Sequence, residues 1–460
     1  MEIEVLNPAT WKIIGKVVAD DKASIERKYK AARAAQPDWQ RLGLKARLEI
    51  LKRFRDRVEK DIEEAALVLT RDTGKPISQS RNELKGLLGR FDFFLEATEK
   101  TIAPEILVGA THESPLQEEI EHEPLGVIAN ISAWNYPWFV GSNVYVPALL
   151  TGNAVLYKPS EFALLSGQLM ERYLHEAGVP TDVFALICGR GDAGAALLEQ
   201  PIDGIFFTGS VATGRKIAEA AAKKFIKVQL ELGGKDPAYI TDDVDVKAAA
   251  EATADGAMYN TGQSCCSVER VYVHEKVYDQ FIAHFVETVK GFKLGDPEQN
   301  ETYIGALTRG KAALDFLEGQ VTDAAKKGAK VLTGGKQVAI AGGVYLEPVV
   351  LSDVNHEMEI MRDESFGPVI GIMKVKDDAE AQKLMNDTEY GLTAAVYCRD
   401  QNRAREILKG VNAGSAYINC CDRVSPRLPW SGRGISGVGL TLSTYGIETF
   451  TRPKAWHIRS

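Results

Sequence analysis

What the 460-residue chain lacks narrows its class first. It lacks an excess of positive charge: 55 Lys and Arg against 63 Asp and Glu leave a formal net charge of −8. Nucleic acids and anionic lipid surfaces are bound by clustered cations, so this balance argues against either as a partner. It lacks a long apolar run. The most apolar stretch, 138–150, is broken by Gly141, Asn143 and Pro147 and is too short to span a bilayer. The first residues, MEIEVLNPATWKII, have no basic region followed by an apolar one, so no secretory signal is expected. It lacks a disulfide framework: Cys188, Cys265, Cys266, Cys398, Cys420 and Cys421 form two adjacent pairs and two singles. Cys and His are not spaced as zinc ligands are, and no metal site is expected. The expected compartment is the reducing cytoplasm. There is no internal repeat and no low-complexity segment.

What is present is the composition of a globular protein, 45% hydrophobic and 26% charged, at a length that fits two or three domains. The first hundred residues read as helical. Ile25, Tyr29 and Ala32 recur at helical spacing, as do Leu51, Phe54, Val58 and Ile62. From Leu125 short apolar runs alternate with helical segments. Strands are expected at 125–131, 154–157, 183–187, 204–207 and 227–230. Helices are expected at 163–177, closed by Gly178 and Pro180, at 191–200 and at 211–222. Such alternation predicts a parallel sheet with helices on both faces and ligands at the carboxyl ends of its strands. A second α/β region starts near Gly234. Its first helix, 246–260, leads into the cysteine pair, and 391–397 and 414–419 are later strands. The glycine-rich 431–439 reads as a loop, and the tail TFTRPKAWHIRS as a terminal strand able to join subunits.

Several residues could carry chemistry. In NTGQSCCS (260–267), Gly262 allows close backbone approach and polar residues precede Cys265, which suggests a thiol aimed at a ligand. A buried structural cysteine is the plainer reading, and composition alone leaves Cys266 as a competitor. Glu231, in LELGGKDP, ends an apolar run before two glycines, where a carboxylate can serve as a general base or simply flank a turn. Asn135 lies in ISAWNYPW just past a strand, and its amide can donate to an oxyanion or merely form a turn. FFTGSVATG (206–214) is a strand, a glycine turn at Gly209 and a helix start, a geometry that meets phosphates. In YKPSE, Lys158 and Glu161 could reach a ribose, and ESFGP offers Glu364 and Phe366.

Taken together, WNYP at 134–137, KPSE at 158–161, FTGSVATG at 207–214, LELGGK at 230–235, GQSC at 262–265 and ESFGP at 364–368 occur in the order and spacing of one family. Over nearly its whole length the chain resembles the aldehyde dehydrogenase superfamily. The resemblance implies an α/β fold with a Rossmann-like cofactor domain (1–105 and 125–233), an α/β catalytic domain (234–440) and a small bridging β-sheet for oligomerisation (106–124 and 441–460). It implies Cys265 as nucleophile, Glu231 as general base and Asn135 as oxyanion donor, with Cys266 a variable neighbour. Lys158 and Glu161 match residues that hold the adenosine ribose. Gly209 and Ser210 match the pyrophosphate turn, and Glu364 the nicotinamide ribose contact, with Phe366 beside it. Trp134, Ser160, Gly191 and Leu232 complete the implied cofactor contacts. The implied activity is oxidation of a small aldehyde to its acid through a thioester, by a homodimer or homotetramer. NAD is the expected cofactor, because Glu161 would repel a 2′-phosphate, and NADP is the alternative.

The chain departs from the family pattern at Ala133, where Pro is frequent, and in PWSGRG (429–434). There Trp430 replaces Phe, Ser431 replaces Gly, and Gly434 replaces Lys. These changes bear on the substrate pocket, whose walls are expected to include Tyr136, Trp138 and Trp430. Arg423 and Arg427 are candidates to bind the carboxylate of a semialdehyde, or are simply solvated. Three other functions compete. A coenzyme A-acylating relative needs no deacylating base, so Glu231 argues against it. A non-catalytic binding protein on the same scaffold would not need Cys265, Glu231 and Asn135 together. A cysteine hydrolase needs an activating His, and none of the seven lies in a matching motif.

Overall fold

The computed structural model describes residues 2–109 and 115–459. Two sheets organise these residues. In the first, five parallel strands lie in the spatial order Lys227–Glu231, Gly204–Thr208, Val127–Ile131, Ala154–Lys158, Phe184–Leu186. The chain therefore runs outward from Val127–Ile131 in one direction, then returns to fill the other side. The reversal opens a crevice at the carboxyl ends of Val127–Ile131 and Gly204–Thr208. Val127–Ile131 and Ala154–Lys158 are buried at every position, which is why they read as continuous apolar runs rather than alternating ones.

Local signals fix the helices between these strands. Ser210 accepts from the Thr213 amide and starts Val211–Ala222, and Gly178, at φ +108°, stops Leu164–Ala177. The amino-terminal helix Lys22–Arg41 buries Ile25, Tyr29 and Ala32 against this sheet, and Leu44–Lys60 buries Leu51, Phe54 and Val58 against the helices Ile77–Thr101, Pro137–Leu150 and Leu164–Ala177. Ile62 belongs to the next helix, Ile62–Thr73, because the chain turns at Asp61.

The second sheet has seven strands, ordered Lys330–Thr333, Val349–Ser352, Val369–Val375, Val268–His274, Asp236–Ile240, Thr393–Tyr397, Ser415–Ile418. All neighbours are parallel except the first pair. Its strands alternate between two cores: Tyr239 packs on one face while Ala238 and Ile240 pack on the other. Only four residues separate Glu231, the last residue of the strand Lys227–Glu231 in the first sheet, from Asp236 at the start of a strand of the second sheet.

Two details differ from the sequence reading. The helix expected at 246–260 ends at Met258, because Asn260 and Thr261 adopt left-handed φ of 54° and 59°. The glycine-rich 431–439 is not wholly loop: Gly437–Val438 pairs antiparallel with Leu230 and Glu231 and edges the first sheet. A third sheet joins Glu105–Val108, Leu116–Pro124 and the tail strand Thr451–Arg459, all antiparallel. Of the segment expected to bridge subunits, 110–114 lies outside the described residues. None of the described helices is long and apolar enough to cross a membrane.

Candidate active site

Three motifs far apart in sequence meet backbone to backbone at the junction of the two sheets. A Cβ on Gly262 would stand 2.2 Å from the Gly367 carbonyl oxygen, and φ there is +68°. A Cβ on Gly234 would stand 2.7 Å from the Cys265 carbonyl oxygen, and one on Gly233 2.2 Å from Glu364 Oε2. GQSC, LELGG and ESFGP therefore carry glycines because each is the space another fills. The Gly234 amide donates to Glu364 Oε1 at 3.0 Å, which fixes that carboxylate. Burial pushes the Glu364 carboxyl above its usual range.

A buried ion pair ties the arrangement together. Lys235 Nζ donates to Glu269 Oε2 at 2.6 Å and to Ser365 Oγ at 3.0 Å. The amides of Ser365 and Phe366 donate to the same Glu269 carboxylate at 2.7 and 2.9 Å. These bonds hold Phe366 at φ +53°, a conformation that a bulky side chain rarely adopts. Its ring meets Trp134 edge-on at 5.5 Å, and Trp134 meets Phe162 at 6.3 Å.

Cys265 is partly exposed and lines a cavity of about 590 Å³ with Ser264 and Cys266. Asn260 organises its loop, donating from Nδ2 to the carbonyl oxygens of Gln263 at 3.0 Å and Asn135 at 3.2 Å. The buried candidate oxyanion donor is thus fastened to the loop that carries the candidate nucleophile. The helix after Asn135, Pro137–Leu150, begins with Pro at its first position, and Glu83 Oε1 accepts from the Trp138 and Phe139 amides at 3.0 and 3.3 Å. Glu83 is itself paired with buried Lys75.

Glu231 stands back from this cavity. Its Oε1 accepts from Gln229 Nε2 at 3.0 Å and Thr441 Oγ1 at 3.3 Å, while Oε2 is buried with no protein partner. Burial raises its carboxyl well above the usual range, and the hydrogen bonds from Thr441 and Gln229 pull the other way.

The cavity walls correct one expectation. Tyr136, Phe139, Val140 and Asn143 face it, which is helical spacing on one side of Pro137–Leu150. Trp138 falls on the opposite side, fully buried beside Tyr173. Trp430 and Arg423 line the cavity, whereas Arg427 is exposed and is not part of its wall. Lys85, Asp255 and Asp422 also line it, and sequence reasoning singled out none of them.

The dinucleotide candidates sit along the other side of the crevice. Ser210 caps the helix Val211–Ala222, whose first amides have no partner within the helix. A Cβ on Gly209 would stand 2.5 Å from the Phe207 ring. Lys158 ends its strand buried, and its ammonium makes one hydrogen bond among the described residues, to the adjacent Pro159 carbonyl at 3.3 Å. Burial lowers its pKa, partly offset by Glu161. Ser160 donates to Glu161 Oε2 at 3.4 Å. Gly191 opens the next helix with free space where a Cβ would be, and Leu232 packs against Gly214. A buried ammonium with spare donors, a nearby carboxylate and a capped helix start together fit a ribose and a pyrophosphate.

The sequence matches the aldehyde dehydrogenase family over residues 1–456. The chain belongs to the aldehyde dehydrogenase family. It is 34% identical over 462 residues to a 3,6-anhydro-alpha-L-galactose dehydrogenase of Streptomyces coelicolor, covering 99% of this chain and 93% of the relative. An NADP-dependent enzyme of E. coli superposes with a TM-score of 0.96 at 31% identity, covering 100% of this chain and 95% of the other. An NAD-dependent aldehyde dehydrogenase from Sinorhizobium meliloti gives the same TM-score and identity, covering 100% and 91%. This aldehyde dehydrogenase is an NAD(P)-dependent oxidoreductase that converts aldehydes to acids.

Proposed function

We propose that this aldehyde dehydrogenase works through Cys265 as nucleophile, Asn135 as oxyanion donor and Glu231 as general base, on a semialdehyde and with a preference for NAD. The observation that carries the catalytic assignment is the interlocked glycines, which set Cys265 at the seam between the two sheets beside a cavity open to substrate.

The Cys265 thiolate attacks the aldehyde carbon, and the oxygen gathers charge. The Asn135 amide and the Cys265 backbone amide stabilise that charge, and one such donor contributes roughly 3–4 kcal/mol. Lys158, Glu161, Ser210 and Glu364 would hold a nicotinamide dinucleotide, which would supply the hydride acceptor. The acyl group remaining on Cys265 is a thioester. Glu231 rotates out of its bonds to Gln229 and Thr441, takes a proton from water, and the hydroxide displaces the thiolate to release the acid. NAD is favoured because the Glu161 carboxylate accepts from ribose hydroxyls and repels a 2′-phosphate.

The semialdehyde reading rests on unpaired cations. Lys85 and Arg423 line the cavity, are exposed, and form no ion pair among the described residues. The cavity's carboxylates are already engaged: Asp255 accepts from the Tyr303 hydroxyl, Asp422 from Cys266, and Glu83 pairs with Lys75. A substrate carboxylate would complete the free cations with charge-assisted bonds. We also assign subunit association to the three-stranded sheet, and place the protein in a reducing compartment, in keeping with six free thiols.

The test compares aldehydes of equal length ending in a carboxylate, a methyl or an ammonium group, each with NAD and with NADP. The carboxyl aldehyde should give the highest kcat/KM, and Arg423→Ala should cut that advantage by about tenfold, the order of one hydrogen bond to a charged group. Cys265→Ala should abolish turnover of all three. A preference for the ammonium aldehyde would reassign the cavity to cationic substrates through Asp255 and Asp422.

A further inference from the structure

Two adjacent thiols face one cavity, yet only one can serve as nucleophile, and the fold treats them differently. Cys265 is partly exposed, whereas Cys266 is buried, 6% exposed, with its Sγ donating to Asp422 Oδ1 at 2.9 Å. That is short for a sulfur donor, and Ser264 Oγ lies 3.5 Å from the same sulfur. Asp422 comes from a distant loop, 156 residues away along the chain. The loop is shaped to present it. Asn419 and Asp422 both hold positive φ, 56° and 49°, and Asn419 is locked by bonds from the Cys398 amide at 2.8 Å and to the Cys398 carbonyl at 2.9 Å. Backbone strain at two non-glycine residues persists where the surroundings enforce it. Asp422 forms no ion pair among the described residues. Arg423 and Lys75 act on it only at longer range, with Asp255 opposing them.

We infer that Asp422 is the positioning residue that selects the nucleophile: its carboxylate fixes Cys266 as a hydrogen-bond donor and leaves Cys265 as the thiol free to react in the cavity. A thiol beside a carboxylate resists ionisation because its anion would face another anion. The direction agrees: the neighbouring Cys265 thiol, burial and Asp422 all raise the Cys266 thiol well above its usual value. Burial pushes Asp422 up to about 7, so it is anionic at mildly alkaline pH. The inference rests on Cys265 being the nucleophile.

The test is site-resolved alkylation of the intact enzyme with limiting iodoacetamide at mildly alkaline pH, read by peptide mass spectrometry beside residual turnover. In the unaltered protein, label should fall on Cys265 over Cys266 by at least about tenfold, since the thiolate is the reactive form, with turnover lost in proportion. Asp422→Asn keeps the side-chain volume and removes the charge, and should raise Cys266 labelling several-fold. Asp422→Glu should return it toward the original pattern. Unchanged Cys266 labelling in Asp422→Asn overturns the inference alone. Turnover that survives labelling of Cys265 overturns the nucleophile assignment and the inference with it. A measurement that needs no Asp422 variant is the infrared S–H stretch, assigned by difference against Cys266→Ala. A band shifted down from free thiols supports the hydrogen bond, and one at the free-thiol frequency overturns it.

Discussion

At the residue scale, the position of Glu231 sets an expectation about pH. A general base acts when ionised, and burial raises this carboxyl well above its usual range. A raised pKa means a smaller ionised fraction at neutral pH, so deacylation should accelerate as pH rises above neutrality. Glu231→Gln should keep a stoichiometric burst of reduced cofactor and slow steady turnover by about 10²-fold or more, removing that alkaline rise. Rapid-mixing absorbance across pH reads both, and loss of the burst as well would move Glu231 out of the deacylation step. The sequence marked the candidate residues but not their holders. Cys265, Glu231 and Asn135 stood out because polar residues and glycines interrupt apolar runs there. Asn260, Glu269 and Asp422 were silent, because their bonds reach residues 125, 96 and 156 positions away and leave no local pattern.

At the element scale, the parallel strands were legible because burial on both faces makes unbroken apolar runs, and the helices because caps and Gly178 punctuate them. The end of Val246–Met258 was not. Ala257 and Met258 suit a helix, and the break follows from Asn260 and Thr261 being drawn into bonds with Gln79, Asn135 and Gly305. Tertiary contacts override propensity there. The edge strand Gly437–Val438 was invisible for a similar reason: two residues in a glycine-rich stretch have no periodicity to read. The motif glycines give a sharp prediction. Gly262→Ala brings a methyl to 2.2 Å from the Gly367 oxygen at a left-handed φ, a conformation that costs roughly 1–2 kcal/mol for an L-residue before any clash. The variant should melt lower and lose turnover. Gly319→Ala, on a helix with nothing within 4 Å of the new methyl, should do neither. Equal melting curves from calorimetry would refute the interlock.

At the scale of the whole molecule, the third sheet projects apolar surface. Ile106 is 66% exposed, Trp456 39% and Ile458 40%, on strands that lie in one antiparallel ladder. Exposed apolar residues grouped on a sheet mark an association surface. On the proposed assignment of subunit association to this sheet, Ile106→Glu combined with Trp456→Glu should leave only monomers by light scattering with cofactor binding intact, and a mass unchanged from the unaltered protein would overturn that assignment. The same sheet bears on synthesis of the chain. Thr451 pairs with Pro124 and Arg459 with Leu116, so Leu116–Pro124 is synthesised well before the strand that pairs with it. Until Thr451–Arg459 has been made, one edge of Leu116–Pro124 offers free amides and carbonyls to any passing strand. Closure of this sheet therefore comes late in synthesis, and a chain terminated before Thr451 would carry an open edge that Thr451–Arg459 covers.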